Sequence, residues 1–103
     1  MKYKIEKNSI YFYFYDDFDF MKIQSIKNEV VQLMKTKEVK NVYFDFLNVS
    51  FVDSTGIGFV LARYRDLIKE KKVLTICNLS KENKVVFDMS GVFCLIRYEE
   101  NGV

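Results

Sequence analysis

Histidine is absent from the 103-residue chain, and so is proline. Without histidine there is no Ser-His triad, no Cys-His pair and no histidine-ligated metal. Without proline the turns must come from Gly, Asn, Asp and Ser, and only four glycines are present. The two cysteines, Cys77 and Cys94, show neither metal-ligand nor redox spacing. Reduced thiols serving as small core residues are expected. No apolar run reaches the about 18 residues that span a bilayer, and the opening MKYKIEKNS lacks the apolar segment of a secretory signal. A cytoplasmic protein with no membrane contact is expected. The formal net charge is +2 with no long run of one sign, which leaves no electrostatic footprint for nucleic acid or an acidic membrane. Neither GxxxxGK[ST] nor GxGxxG occurs. No cofactor, metal or ordinary catalytic signature is expected, and so no enzyme.

What is present is hydrophobic and strongly patterned. Half of the residues are hydrophobic and 29% are charged, the balance of a soluble globular chain. A single domain over 1–103 is expected. Residues 2–7 read as a first strand and 9–15 as a second. In the second, Ile10, Phe12 and Phe14 alternate with Tyr11, Tyr13 and Tyr15, so one face is dry and the other amphipathic. Residues 41–47 repeat the scheme, with Val42, Phe44 and Phe46 against Tyr43 and Asp45, and the strand runs on through Asn48 and Val49. Helix period appears at 20–37, through Ile23, Ile26, Val30, Leu33 and Met34, and at 56–71, through Ile57, Val60, Leu61, Tyr64, Leu67 and Ile68. Residues 73–77 form a further strand and 80–91 a short helix with Ser80 as N-cap and Gly91 at its far end. Residues 93–98 complete the set as a last strand. The fold class is α/β: one mixed sheet in the order β-β-α-β-α-β-α-β, with helices covering the dry face.

The stretch FVDSTGIGF, residues 51–59, joins a strand to a helix, and two readings of it are open. In the first, Ser54 or Thr55 is only the helix cap, accepting from an early N–H, while Gly56 and Gly58 let the backbone pack closely. In the second, an exposed hydroxyl at the positive end of a helix is a place where the fold tolerates a phosphate. That modification adds about −1.5 to −2 charges and alters binding without unfolding the domain.

FVDSTGIGFVLARYRDL followed by VVFDMSGVFCLIRYEE resembles the anti-sigma factor antagonists of the STAS domain superfamily, most closely the sporulation branch that releases sigma-F. The resemblance runs in order along nearly the whole chain. It implies a STAS fold and a partner-switching mechanism. The unphosphorylated protein would bind an anti-sigma factor that is also a serine/threonine kinase, which then lets its sigma factor go. Phosphorylation by that kinase would end the complex, and a serine/threonine phosphatase would restore it. The acceptor implied is Thr55, directly before Gly56, with Ser54 as the alternative. Asp53 matches the loop aspartate ahead of the hydroxyls, and Asp19 matches the aspartate after the second strand. Asp19, Asp53, Ser54, Thr55, Gly56, Ile57, Asp88 and Ser90 would then form the partner surface, although Asp88 and Ser90 serve equally well as caps of the turn at Gly91.

Three departures stand out. The family acceptor is usually serine. Its Gly-Glu-Leu-Asp loop reads Asp16-Asp17-Phe18-Asp19 here, more acidic, though aspartate tolerates a left-handed turn. Members often continue with a C-terminal helix, whereas this chain ends at Val103. Arg63 and Arg65 read as a solvated helix face, with pairing to an acidic partner as the alternative. The tyrosines 11, 13 and 15 read as cross-strand stabilisers, with a partner surface as the alternative. A monomer is expected. The competing reading of the chain is a STAS scaffold subunit of a larger signalling complex, which would self-assemble. A nucleotide hydrolase using Ser54 or Thr55 lacks a base, a phosphate loop and a metal cluster.

Overall fold

The alternating phenylalanines of the second and third strands dictate the architecture. The structure, a computed structural model, describes residues 1–100. It contains β1 (Lys2–Glu6), β2 (Ser9–Phe18), α1 (Phe20–Met34), β3 (Asn41–Val52), α2 (Ser54–Lys69), β4 (Val73–Cys77), α3 (Lys81–Met89), a 3₁₀ turn (Val92–Cys94) and β5 (Arg97–Glu99). The five strands lie in sequence order in one sheet. β1 is antiparallel to β2, and the pairs β2–β3, β3–β4 and β4–β5 are parallel.

Ile10, Phe12, Phe14, Val42, Phe44, Phe46, Leu74 and Ile76 are almost fully buried beneath the three helices. The rings interlock edge to face, with Phe12–Phe44 centroids at 5.7 Å, Phe14–Phe44 at 5.2 Å and Phe18–Phe46 at 5.1 Å. Such pairs add about 0.5–1.5 kcal/mol beyond the area they bury. Phe59 of α2 closes over Phe44 and Phe18, and Phe87 of α3 meets Phe46 at 5.4 Å. All three helices therefore pack on the dry face, as the alternation requires. On the other face Tyr11 stacks on Tyr43 at 4.7 Å, with the Lys4 ammonium over the Tyr11 ring. This is the cross-strand role expected of the tyrosines, seen here for Tyr11; among the described residues Tyr13 and Tyr15 make no ring contact.

Several boundaries differ from the sequence reading, each for a local reason. β2 continues through Asp16 and Asp17 to Phe18. Asp16 takes a left-handed backbone, φ 61°, at one of two register shifts against β3. Each shift gives β3 an extra residue, so its core-facing positions move from Phe46 to Val49 and Val52. α1 stops at Met34, where Lys35 caps it and the Thr36 hydroxyl donates to the Leu33 carbonyl at 2.8 Å. Ser80 caps α3 as expected, accepting from Asn83 N–H at 3.1 Å. The expected strand over 93–98 is mostly not a strand. Gly91 turns left-handed at φ 74°, Leu95 and Ile96 N–H both donate to the Val92 carbonyl, and only Arg97–Glu99 is left to pair with β4.

The cysteines separate. Cys77 is fully buried, whereas Cys94 is exposed, which corrects the expectation of two core thiols. Burial pushes the Cys77 thiol up to about 12, helped by the Asp45 and Glu99 carboxylates. Only about 10⁻⁴ of it would be thiolate at pH 8, and the thiolate is the reactive form. Iodoacetamide on the native protein at pH 8 is thus expected to label Cys94 alone by mass spectrometry, with Cys77 reacting only after unfolding. Equal rates at both sites would contradict this packing.

Candidate functional site

Two helices start side by side at one edge of the core. Phe18 ends β2 and Val52 ends β3, and these residues pair in register. One residue later, each chain meets an aspartate. Asp19 Oδ1 accepts from Lys22 N–H at 3.0 Å and caps α1. Asp53 Oδ1 accepts from Gly56 N–H at 2.8 Å and caps α2. The two exits are joined by Asp53 N–H donating to the Phe18 carbonyl at 3.4 Å. Aspartate suits both positions because its carboxylate satisfies an orphan N–H and lies at the positive helix end.

The cap of α2 is therefore Asp53, and neither Ser54 nor Thr55, contrary to the structural reading of the turn. The helix begins one residue after Asp53, so Ser54 and Thr55 are its first two residues. Among the described residues neither hydroxyl has a hydrogen-bond partner. Ser54 is exposed and Thr55 half-buried. Thr55 borders an open groove of about 340 Å³ between α1 and α2, which also touches Ile23, Lys27, Gly58, Phe59 and Arg63.

The two glycines of the stretch behave differently. A β-carbon on Gly56 would collide with the Phe18 carbonyl oxygen and lie 2.8 Å from Phe18 Cδ2 and 3.0 Å from Val52 Cγ1. Gly56 is the residue that lets the first turn of α2 sit directly on the ends of β2 and β3. Ile57, next to it, is buried in the core. A β-carbon on Gly58 would meet nothing within 4 Å.

Large apolar side chains flank the two caps in the open. Phe20 is 54% exposed, Met21 73% and Phe51 52%. Sequence reasoning missed them. Met21 lies off the helical core stripe, and Phe51 follows a register shift that period-two counting does not see. Other large apolar residues, among them Leu47, Met89 and Leu95, are exposed elsewhere on the described surface.

Asp88 and Ser90 are exposed at the end of α3. The Ser90 hydroxyl donates to the Val86 carbonyl at 2.9 Å, and Gly91 N–H donates to the Asp88 carbonyl. No hydrogen bond, ion pair or ring contact among the described residues links either to the 53–57 turn. Their observed role is to end the helix. Arg65 is exposed as expected, but Arg63 is not a solvated residue. It is 8% exposed, lies 4.9 Å over the Phe59 ring and is paired with Asp66 at 3.0 Å.

Residues 2–101 match the STAS domain. The chain belongs to the STAS domain family. Its relatives include an anti-sigma F factor antagonist of Paenibacillus polymyxa, 22% identical over 78 residues, 76% of this chain and 67% of that protein. An anti-sigma-B factor antagonist of Staphylococcus epidermidis is 31% identical over 72 residues, 70% of this chain and 67% of that protein. The anti-sigma factor antagonist SpoIIAA in its unphosphorylated form superposes with a TM-score of 0.82 at 21% identity, covering 97% of this chain and 88% of that one. SpoIIAA in its phosphorylated form gives 0.75 at 21% identity, covering 97% and 91%. The mixed sheet and the order of strands and helices are those of the STAS fold.

In this STAS domain the cap and the glycine are expected to carry the turn, while the hydroxyls do not. Gly56→Ala should lower stability by about 1–3 kcal/mol, the usual cost of overpacking, and Asp53→Ala by about 0.5–2 kcal/mol through the lost cap. Gly58→Ala should raise stability by about 0.5–1 kcal/mol, the helix-propensity gain. Ser54→Ala and Thr55→Ala should change it by less than about 0.5 kcal/mol. Urea unfolding of the five variants checks this, and a Thr55→Ala loss as large as that of Asp53→Ala would return the capping role to the hydroxyls.

Proposed function

We propose that this chain is an anti-sigma factor antagonist. It binds an anti-sigma factor with serine/threonine kinase activity, frees that kinase's sigma factor, and is switched off by phosphorylation of Thr55. One observation carries the reading: Asp53 performs the capping, so the hydroxyls of Ser54 and Thr55 have no structural task and no partner among the described residues. Relatives known as anti-sigma factor antagonists, and a like-folded antagonist that exists in phosphorylated and unphosphorylated forms, support it.

In the transfer, Thr55 Oγ1 bonds to the γ-phosphorus of ATP, the bond to the bridging oxygen breaks, and ADP leaves. The hydroxyl proton passes to a base of the kinase. The chain contributes the acceptor and its presentation and is a binding protein, not an enzyme. The exposed Phe20, Met21 and Phe51 supply the apolar part of the contact around Asp19, Asp53 and Ser54, whereas Gly56 and Ile57 are buried and act from beneath that surface by setting the turn. Asp88 and Ser90 are separate surface candidates at the end of α3. The phosphate is a dianion at the centre of that contact. Trapping an uncompensated charge there costs about 2–5 kcal/mol, which weakens binding roughly 30- to 5,000-fold. A phosphatase reverses the change.

Incubation with the anti-sigma kinase of the same organism and ATP, followed by site-mapped mass spectrometry, tests the reading. A single phosphate on Thr55 is expected, absent from Thr55→Ala, together with a loss of kinase binding in the modified protein. Phosphate on Ser54 would move the acceptor by one residue. Tight kinase binding with neither hydroxyl modified would leave a docking surface without a switch and overturn the proposal.

A further inference from the structure

The groove beside Thr55 contains a cation with nothing to do. α1 and α2 are capped at adjacent strand ends, run side by side and pack against each other. Lys27 and Thr55 border the same open space between them. Lys27 is exposed and has no ion pair or hydrogen bond among the described residues. The other cations near the turn are taken. The Lys22 ammonium donates to the Tyr15 carbonyl, and Arg63 is held by Asp66 and the Phe59 ring.

Lys27 stands six residues further from its cap than Thr55 does from its own, about 9 Å along the helix axis. Helical side chains lean toward the N-terminus. The four-carbon stem of Lys27 therefore reaches back down the groove toward Thr55, whose own short side chain leans the same way, toward its cap, so the lysine spans most of the gap. Gly58, on the groove wall one turn from Thr55, leaves the path open, since no atom lies within 4 Å of where its β-carbon would be. The carboxylates at the strand ends are Asp53 ahead of α2, Asp19 ahead of α1, and Asp16 and Asp17 on β2. They repel a phosphate from the sheet end and favour its swing into the groove.

We infer that Lys27 is the phosphate-holding residue of this domain: it binds the phosphothreonine at 55 across the groove and ties α1 to α2 in the modified state. The inference takes its biological meaning from the phosphorylation reading. Its physical content is separate, because the phosphothreonine can be introduced during translation without any kinase.

The test is a phosphorus NMR titration of the full chain carrying phosphothreonine at 55, alone and with Lys27→Ala or Lys27→Arg. A nearby cation favours the phosphate dianion and lowers its second pKa from the usual about 6. In Lys27→Ala the resonance should titrate ~0.5 pH unit higher than in the parent, about threefold in the protonation equilibrium. Lys27→Arg should restore the parent value, and raising the salt to 0.5 M should shrink the difference. Melting of the unphosphorylated Lys27→Ala protein at the parent temperature shows that the fold is intact. Coincident titrations of parent and Lys27→Ala would overturn the inference while leaving phosphorylation by the kinase standing. A kinase that never modifies Thr55 would sink the function reading without touching the titration.

Discussion

The carbonyl oxygen of Phe18 meets two groups at the same place. It accepts the N–H of Asp53, which ties the end of β2 to the end of β3, and it occupies the space that a β-carbon on residue 56 would need. With glycine at 56, α2 starts in contact with the sheet, and the Asp53 carboxylate is left in reach of the Gly56 N–H. The Phe18 ring, fully buried against Phe14, Phe46 and Phe59, anchors that junction to the core. The position of Thr55 follows from these contacts. It lies one residue before the glycine, on the first turn of a helix that cannot slide along the strand ends without losing a cap and creating a collision.

A consequence is a division of labour within four consecutive residues. Asp53 satisfies the helix end, Gly56 makes the close approach, and Ser54 and Thr55 contribute little to either. A site of modification benefits from such separation. A hydroxyl that capped the helix would lose about 0.5–2 kcal/mol of stabilisation when its oxygen was esterified. Because Asp53 has that task, chemistry at Thr55 leaves the cap in place. The added charge falls at the positive end of the helix, where anions are tolerated. The same charge is costly only when a partner covers it. Domain stability and partner affinity are thus free to respond differently to one phosphate.

Elements whose side chains obey one period were legible in the sequence. The alternation of Ile10, Phe12 and Phe14 and of Val42, Phe44 and Phe46 fixes the dry face, and the stripes of α1 and α2 place the helices upon it. What escaped was local geometry that breaks the period. The extra residues in β3 bring Val49 and Val52 inward and leave Phe51 outside, and no count of alternating positions anticipates a bulge. Gly91 spends residues 92–94 on a 3₁₀ turn, which cuts the last strand to three residues. At the turn itself, Asp, Ser and Thr are all good caps, so composition could not say which was used. The hydrogen bond from Gly56 N–H to the Asp53 carboxylate decides it. Arg63 was misplaced for a related reason. On a helical wheel it is a polar residue, but the Phe59 ring and Asp66 lie on its own helix one turn either side, and they let a cation be buried.

The acidic character of the β2 exit follows the same logic of placement. Asp16 adopts the left-handed backbone that glycine would otherwise supply, Asp17 pairs with Phe51, and Asp19 caps α1. Two of these three aspartates have backbone duties, so their charge is a by-product of conformational fitness as much as an adaptation to a partner. The charge nevertheless has an effect. A dianion placed at Thr55 would have carboxylates on the sheet side and the uncommitted Lys27 up the groove on α1. The field therefore has a direction, away from the strand ends and along the helices. A partner seated on the strand ends and the exposed Phe20, Met21 and Phe51 would face the side from which the phosphate is repelled. The same gradient that weakens the complex would draw the phosphate away from its surface. If Thr55 is the acceptor of such a switch, the position of Lys27 would matter alongside the identity of the acceptor.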